Sequence, residues 1–413
     1  MKILQYISLL TIFCATLNLS GQDKKYATEI INRLSSEDFD GRGYINNGDI
    51  KAASYIASEF KKHGCEPIGK SYLIPFSISI NTFPDTLSLT VDGKKLKPGF
   101  DYMVGGGSHD THGTYELFHL DTSDLEEADA LSEQVKGKVI VLPSIAERDE
   151  RTYKLNADGY IFTHKKNIYW RLSDAVSVAP HFYFHTFDSL ISGAKMITTK
   201  INSDFYDNYQ TANVIAKIEG TIKPDSFYVF TAHYDHLGRM GKEVIFPGAN
   251  DNASGTAMLL DLARHYSKPQ NAPEHSMIFM AFAAEECGLF GSKYAATNPP
   301  IPLKKIKFLF NLDMVGSGSE GIGMVNAKTV PKADSLIIRI NEKKEYFPDI
   351  RSGGARCVSD HCAFARNGVP SIFIFTRGKE YMHYHTPLDD GPVPLTKWNE
   401  LFNLMGDFIQ DYN

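Results

Sequence analysis

The sequence predicts an α/β fold, a mostly parallel central sheet flanked by helices, with a β-rich domain inserted into it. Three observations carry this reading. The second half of the chain alternates short buried apolar runs with helical stretches, which is the pattern of βαβ units. Between about Asp85 and Asn202 the texture changes to short β-like segments and turns. The length of 413 residues also exceeds the roughly 250 to 300 at which a single hydrophobic core stops growing.

The chain opens with Lys2 ahead of an apolar stretch, Ile3 to Leu19, closed by the small residues Ser20 and Gly21. That is the layout of a secretory signal, so residues 1–21 are expected to be cleaved and the protein exported to the periplasm or the medium. A retained membrane anchor fits less well, because the stretch is short and broken by Gln5 and Asn18; no stable membrane insertion is expected after cleavage. Phe13 ahead of Cys14 argues against lipid attachment there.

Residues 26–63 carry helical periodicity, with Ala52, Ala53, Ile56 and Phe60 on one face and a break at Gly41 to Gly43. A strand is expected at Ser71 to Ile80. Residues 22–84 and 203–413 are read together as a catalytic domain, and 85–202 as the insert. Within the insert, Val91 to Gly93 signals a hairpin and Lys138 to Leu142 a buried strand. Ser203 to Gln210 reads as a polar linker into a strand at Thr211 to Glu219. Further buried strands are expected at Phe227 to Ala232, Met277 to Ala283, Ile306 to Leu312 and Ser371 to Thr376. Between them Ser254 to Tyr266 is helical, and its stripe of Met258, Leu259, Leu262 and Tyr266 is assigned to the core.

Composition is that of a globular protein, 43% hydrophobic and 22% charged. A net charge of -6 supplies no basic stripe, so nucleic acid is not an expected partner. After cleavage Cys65, Cys287, Cys357 and Cys362 remain. Cys357 and Cys362 are the pair placed to form a disulfide in an exported chain, with free buried thiols as the alternative; none has the spacing of a structural zinc site.

In open parallel sheets the functional crevice lies outside the carboxyl ends of the strands. There this sequence places His233 and Asp235, then Glu285 and Glu286, then Asp313; the loop GANDNASG adds Asp251 and YHTPLDD adds His385. Singly, each has an ordinary reading as a surface group. Jointly, several carboxylates converging on one sheet edge would repel one another unless cations neutralised them. Histidine with carboxylate and no thiolate suits zinc, and five such ligands exceed the need of one catalytic zinc, which points to two ions sharing a carboxylate. Residues two apart in an extended segment share a face, so Asp235 can accept from the outer ring nitrogen of His233. By the same alternation Glu285 and Glu286 point opposite ways, one to ligate and one to take a proton from water.

The segments AHYDHLG, GANDNASGTAMLL, AFAAEECGLFGS, FNLDMVG, SDHCAF and YHTPLDD, in order across residues 231–390, resemble the co-catalytic zinc aminopeptidases of clan MH. That group includes secreted bacterial leucine aminopeptidases, glutamate carboxypeptidase II and the glutaminyl cyclases. FDGRGY and the helix after it match the opening region. The resemblance implies the zinc exopeptidase fold, with two zinc ions per chain and peptides or small proteins as substrates. It implies His233 and Asp313 on one zinc, Glu286 and His385 on the other, Asp251 as the bridge, Glu285 as general base, and a cis bond after Asp251. QVKGKVIVLPS and NADGYIFTH resemble a protease-associated domain, with an unrelated β insertion as the alternative.

One departure stands out. Arg356, Cys357 and Val358 precede Ser359 where the secreted aminopeptidases carry a tyrosine near the developing oxyanion, so Arg356 is only a candidate for that role beside an ordinary surface reading. The activity implied is release of N-terminal amino acids. The alternatives are a zinc carboxypeptidase, a single-zinc glutaminyl cyclase and a catalytically dead binding protein. GANDNASG and the lack of tryptophan in Gly288 to Ser292 speak against the cyclase, and the intact ligand set against the dead protein.

Overall fold

The computed structural model describes residues 23–412, so the expected signal segment lies outside the described residues. The first helix, Lys24–Leu34, starts at Asp23, whose carboxylate accepts from the backbone N–H of Lys25 and Tyr26 and so caps two free donors. The second, Gly48–Lys62, buries Ala52, Ala53, Ile56 and Phe60 on one side, as the periodicity requires. Between them the chain is forced into a tight path. Gly41 has φ +64°, and a side-chain carbon there would stand 2.6 Å from the carbonyl oxygen of Gly238.

The first helix packs on helix Gly255–Tyr266, and the second packs on a nine-stranded sheet. Its centre is four parallel strands in the order His275–Phe282, Lys223–His233, Ile306–Leu312 and Ser371–Arg377. Antiparallel neighbours close each side, Asp204–Ile218 beside the first and Gly321–Val325 beside the last. Apart from Lys223 to Ser226 at the start of one strand, the central strands are almost wholly buried, which is why they read as continuous apolar runs. Helix Gly255–Tyr266 lies against them with Met258, Leu259 and Leu262 fully buried.

One expectation fails here. Ser203 to Gln210 is not a linker, because Asp204–Ile218 runs as a single strand paired with Leu73–Thr82 across a register shift between Tyr206 and Tyr209. Phe205, Tyr206 and Tyr209 fit a pleated surface, and the partner's ladder outweighs the polar residues between them.

A second, eight-stranded sheet is built from strands lying between Ser88 and Ile201. Its middle is parallel, Thr111–His119, Val139–Pro143, Gly159–His164 and Phe182–Phe187 in order. The hairpin at Asp92 and Gly93 joins Ser88–Val91 to Lys94–Lys95, both turn residues having positive φ. A separate apolar cluster including Val135, Ile140, Leu142 and Phe162 packs one face of this sheet. Cys357 and Cys362 are bridged, and Cys65 and Cys287 are buried free thiols. Among the described residues no helix is long and apolar enough to cross a membrane.

Candidate metal centre

The parallel strands deliver their chemistry at one edge because all their carboxyl ends point the same way. His233 is the last residue of its strand, Asp313 follows the strand ending at Leu312, and the Glu285–Glu286 turn begins just past Phe282. Asp251 comes from the loop ahead of helix Gly255–Tyr266, and His385 from the loop after the last central strand. Ala284, Met314 and His385 all take left-handed backbone conformations, with φ of 58°, 55° and 53°. Such conformations are uncommon without glycine and cluster at sites where the surroundings impose them.

Asp251 sits at the centre. Its Oδ1 is 3.4 Å from His233 Nε2, and its Oδ2 is 3.3 Å from His385 Nε2. His233 Nε2 is also 3.4 Å from Asp313 Oδ1, and His385 Nε2 is 3.1 Å from Glu286 Oε2. One carboxylate thus faces two donor sets, each with one imidazole nitrogen and one further carboxylate. All five residues are buried. Glu285 is half-buried and its carboxylate lies within 4.8 Å of ligand atoms of His233 and Asp313.

These charges shift one another. Burial opposes charge on His233, but the facing carboxylates of Asp313 and Glu285 outweigh it and push its pKa well above the ordinary value. Burial likewise would raise Asp251, yet hydrogen bonds from His233 and His385 hold it well below the carboxylate range. Glu286 is held at about 2 despite burial, first by His385 and then by its hydrogen bond with His236. Glu285 goes the other way: burial, with Asp360, Glu286 and Asp313 around it, raises it well above normal although His233 offsets part of this.

The histidines are oriented from behind. His233 Nδ1 donates to the backbone carbonyl of Asp235 at 3.2 Å, and His385 Nδ1 donates to the carbonyl of Trp170 at 2.7 Å. Each bond leaves Nε2 free to point inward as a metal ligand. This corrects the expected role of the Asp235 side chain, whose Oδ1 is 3.8 Å from His233 Nδ1. The strand ends at His233, so the two-residue repeat no longer sets where residue 235 faces. The Asp235 carboxylate instead accepts from the N–H groups of Glu285 at 3.1 Å and Glu286 at 3.3 Å, and from Tyr44 Oη at 3.3 Å. The glutamate pair lies in that turn rather than in an extended segment, so the turn separates the two side chains where strand alternation was expected to do so.

Several supports were not singled out from the sequence. Asp389 accepts from the N–H groups of Asn250 and Asp251 at 2.8 and 3.0 Å. Ser359 Oγ donates to Asp313 Oδ2 at 2.9 Å and accepts from Asn311 Nδ2 at 2.8 Å. Arg42 is fully buried, and its guanidinium donates to the carbonyls of Leu34, Tyr234, Pro247, Gly248 and Asp251. It thereby joins the loop after His233 to the loop that carries Asp251. The Gly-Arg-Gly break in the sequence was the visible trace of this clamp. The peptide bond after Asp251 is cis, as the resemblance implies. Arg356 is exposed and lines a groove with Cys357, His361 and Arg366 that includes none of the five ligand candidates.

The donor chemistry, two imidazole nitrogens and three carboxylates without thiolate, fits zinc. The fold is shared with a Peptidase M28 precursor from Shewanella amazonensis, which aligns with a TM-score of 0.72 and 18% identity, covering 95% of this chain and 94% of that one. Residues 213–402 match the model of Peptidase family M28. A probable zinc metalloprotease of Pyrenophora teres is 39% identical over 121 residues, 29% of this chain and 25% of that protein. Aminopeptidase YwaD of Bacillus subtilis is 32% identical over 207 residues, 47% of this chain and 42% of that one. The matched parts therefore span a quarter to less than half of these relatives.

Proposed function

We propose that this chain is an exported exopeptidase that releases N-terminal amino acids from peptides or small proteins, using two zinc ions. The observation that carries the reading is Asp251, whose two oxygens face His233 and His385 from opposite sides. One ion would take His233, Asp251 and Asp313, and the other Asp251, Glu286 and His385. Bound zinc would polarise the scissile carbonyl and lower the pKa of a water toward about 7.

The remaining work falls to the chain's own groups. Glu285 accepts the proton of the attacking water and returns it to the leaving amine, so that neither hydroxide nor an amide anion is released into solution. A raised pKa suits both halves of that cycle, since the carboxyl must hold the proton between them. Asp235 acts on the backbone, fixing the two glutamates by accepting their amide protons. Segment 85–202 is proposed as a protease-associated type of insert that shapes the rim of the cleft and limits substrate length without giving a side-chain ligand. The matched aminopeptidase YwaD supports the N-terminal choice.

The test is metal content beside a panel of aminoacyl and carboxypeptidase reporter substrates. Two zincs per chain with turnover of aminoacyl reporters is the expected result. A single zinc with cyclisation of N-terminal glutamine, or cleavage only of carboxypeptidase reporters, would overturn it.

A further inference from the structure

The insert reaches the metal centre through its backbone. Trp170 and His385 form a reciprocal pair across 215 residues of sequence: His385 Nδ1 donates to the Trp170 carbonyl at 2.7 Å, and the Trp170 N–H donates to the His385 carbonyl at 3.3 Å. Trp170 is itself fixed by the insert and by the catalytic domain together. Its indole N–H donates to the Val104 carbonyl at 2.8 Å, and its ring packs on Phe246 at 4.8 Å between centroids. Beside it Tyr169 meets Tyr384 at 5.8 Å edge to face, while Tyr384 stacks on the His385 ring at 3.8 Å.

We propose that Trp170 is a positioning residue for the second zinc, holding His385 in the tautomer and orientation that present Nε2 to the metal, so that the insert and the metal centre are one coupled unit. This rests on the reading of His385 as a zinc ligand. Three features argue for it. His385 sits in a left-handed backbone conformation on a loop, which persists only where the surrounding structure imposes it. Its other ring nitrogen has the Trp170 carbonyl as its hydrogen-bond partner, and removing such an outer partner typically costs a metal site about 10 to 100-fold in affinity. The other histidine, His233, draws its corresponding bond from Asp235 in its own loop, so the two ligands depend on different parts of the chain.

The coupling must run both ways, because a change that one event makes in the other's equilibrium is reciprocal. Zinc held by His385 therefore stabilises the segment around Trp170, and displacement of that segment weakens the same zinc. The zinc at His233 and Asp313 has no ligand oriented by that segment and is linked to it only through the shared Asp251 carboxylate.

The experiment measures zinc affinities by chelator competition on the full chain for the parent and for Trp170→Phe, Trp170→Ala and Phe162→Leu. Trp170→Phe keeps ring packing but removes the indole donor, and serves if the alanine variant fails to fold. Phe162 lies in the separate core of the insert, so its leucine variant loosens the insert without touching His385. Expected is a loss of about tenfold or more in one of two zinc affinities for the Trp170 variants, larger than any change in the other, with both unchanged in Phe162→Leu. Amide exchange at 165–172 should slow on zinc addition in the parent and not in Trp170→Ala. A parent that takes up fewer than two zincs refutes the underlying site reading. A parent with two zincs whose affinities survive in both Trp170 variants, or fall equally in Phe162→Leu, refutes the positioning role alone.

Discussion

Replacing Glu285 and Glu286 one at a time by glutamine separates proton transfer from metal holding. The Glu286 carboxylate binds His236 Nδ1 at 2.8 Å and faces His385 Nε2 at 3.1 Å, and its pKa near 2 marks how strongly these partners favour its charge. Glutamine removes that charge from the proposed ligand set, so zinc occupancy should fall first and activity with it, recovering partly at high zinc. The Glu285 backbone is held independently, its N–H bound to Asp235 at 3.1 Å, so the glutamine variant should keep the turn and the ligands in place. Its loss should appear in kcat, about 100 to 10,000-fold, or about 3 to 5 kcal/mol of activation energy, with zinc content unchanged. Zinc stoichiometry measured beside kcat and KM decides the matter. If Glu285→Gln sheds zinc while Glu286→Gln keeps it, the assignment of the pair is reversed.

Removing zinc with a chelator should lower Tm by several degrees, reversibly, because the metal binds the assembled cluster and leaves its carboxylates facing one another when withdrawn; an unchanged melting curve would contradict the site. Arg42→Met removes a donor set serving five carbonyls, and thermal unfolding should show a loss of about 3 to 5 kcal/mol, the range for breaking a buried charged network. Near-parent stability in that variant would show that the clamp is dispensable. Glu59 is buried and held at about 2, burial being outweighed by His63, Lys62 and Tyr26. A depressed folded pKa gives stability that is present above about 4.5 and lost as pH falls toward about 2, amounting to at most about 3 kcal/mol. Denaturant titrations from pH 6 to pH 2 should accordingly show a shallower acid loss in Glu59→Gln than in the parent.

The sequence by itself determined the central strands and the edge at which chemistry collects. A strand buried on both faces must be apolar throughout, so a polar residue directly after such a run marks the sheet's carboxyl edge. His233, Glu285, Glu286 and Asp313 were legible for that reason, and Asp251 and His385 through the loops that resemble those of clan MH peptidases. What the sequence did not determine was anything set by partners distant along the chain. The strand over Asp204 to Gln210 exists because Leu73–Thr82 pairs with it, which local polarity does not reveal. Asp235 turned from His233 to the amides of the glutamate pair once the strand ended, and a rule of alternation cannot say where a strand ends. Arg42 and Trp170 act through backbone carbonyls up to 215 residues away, and every residue offers the same carbonyl. Which one is met is decided only by how the chain packs.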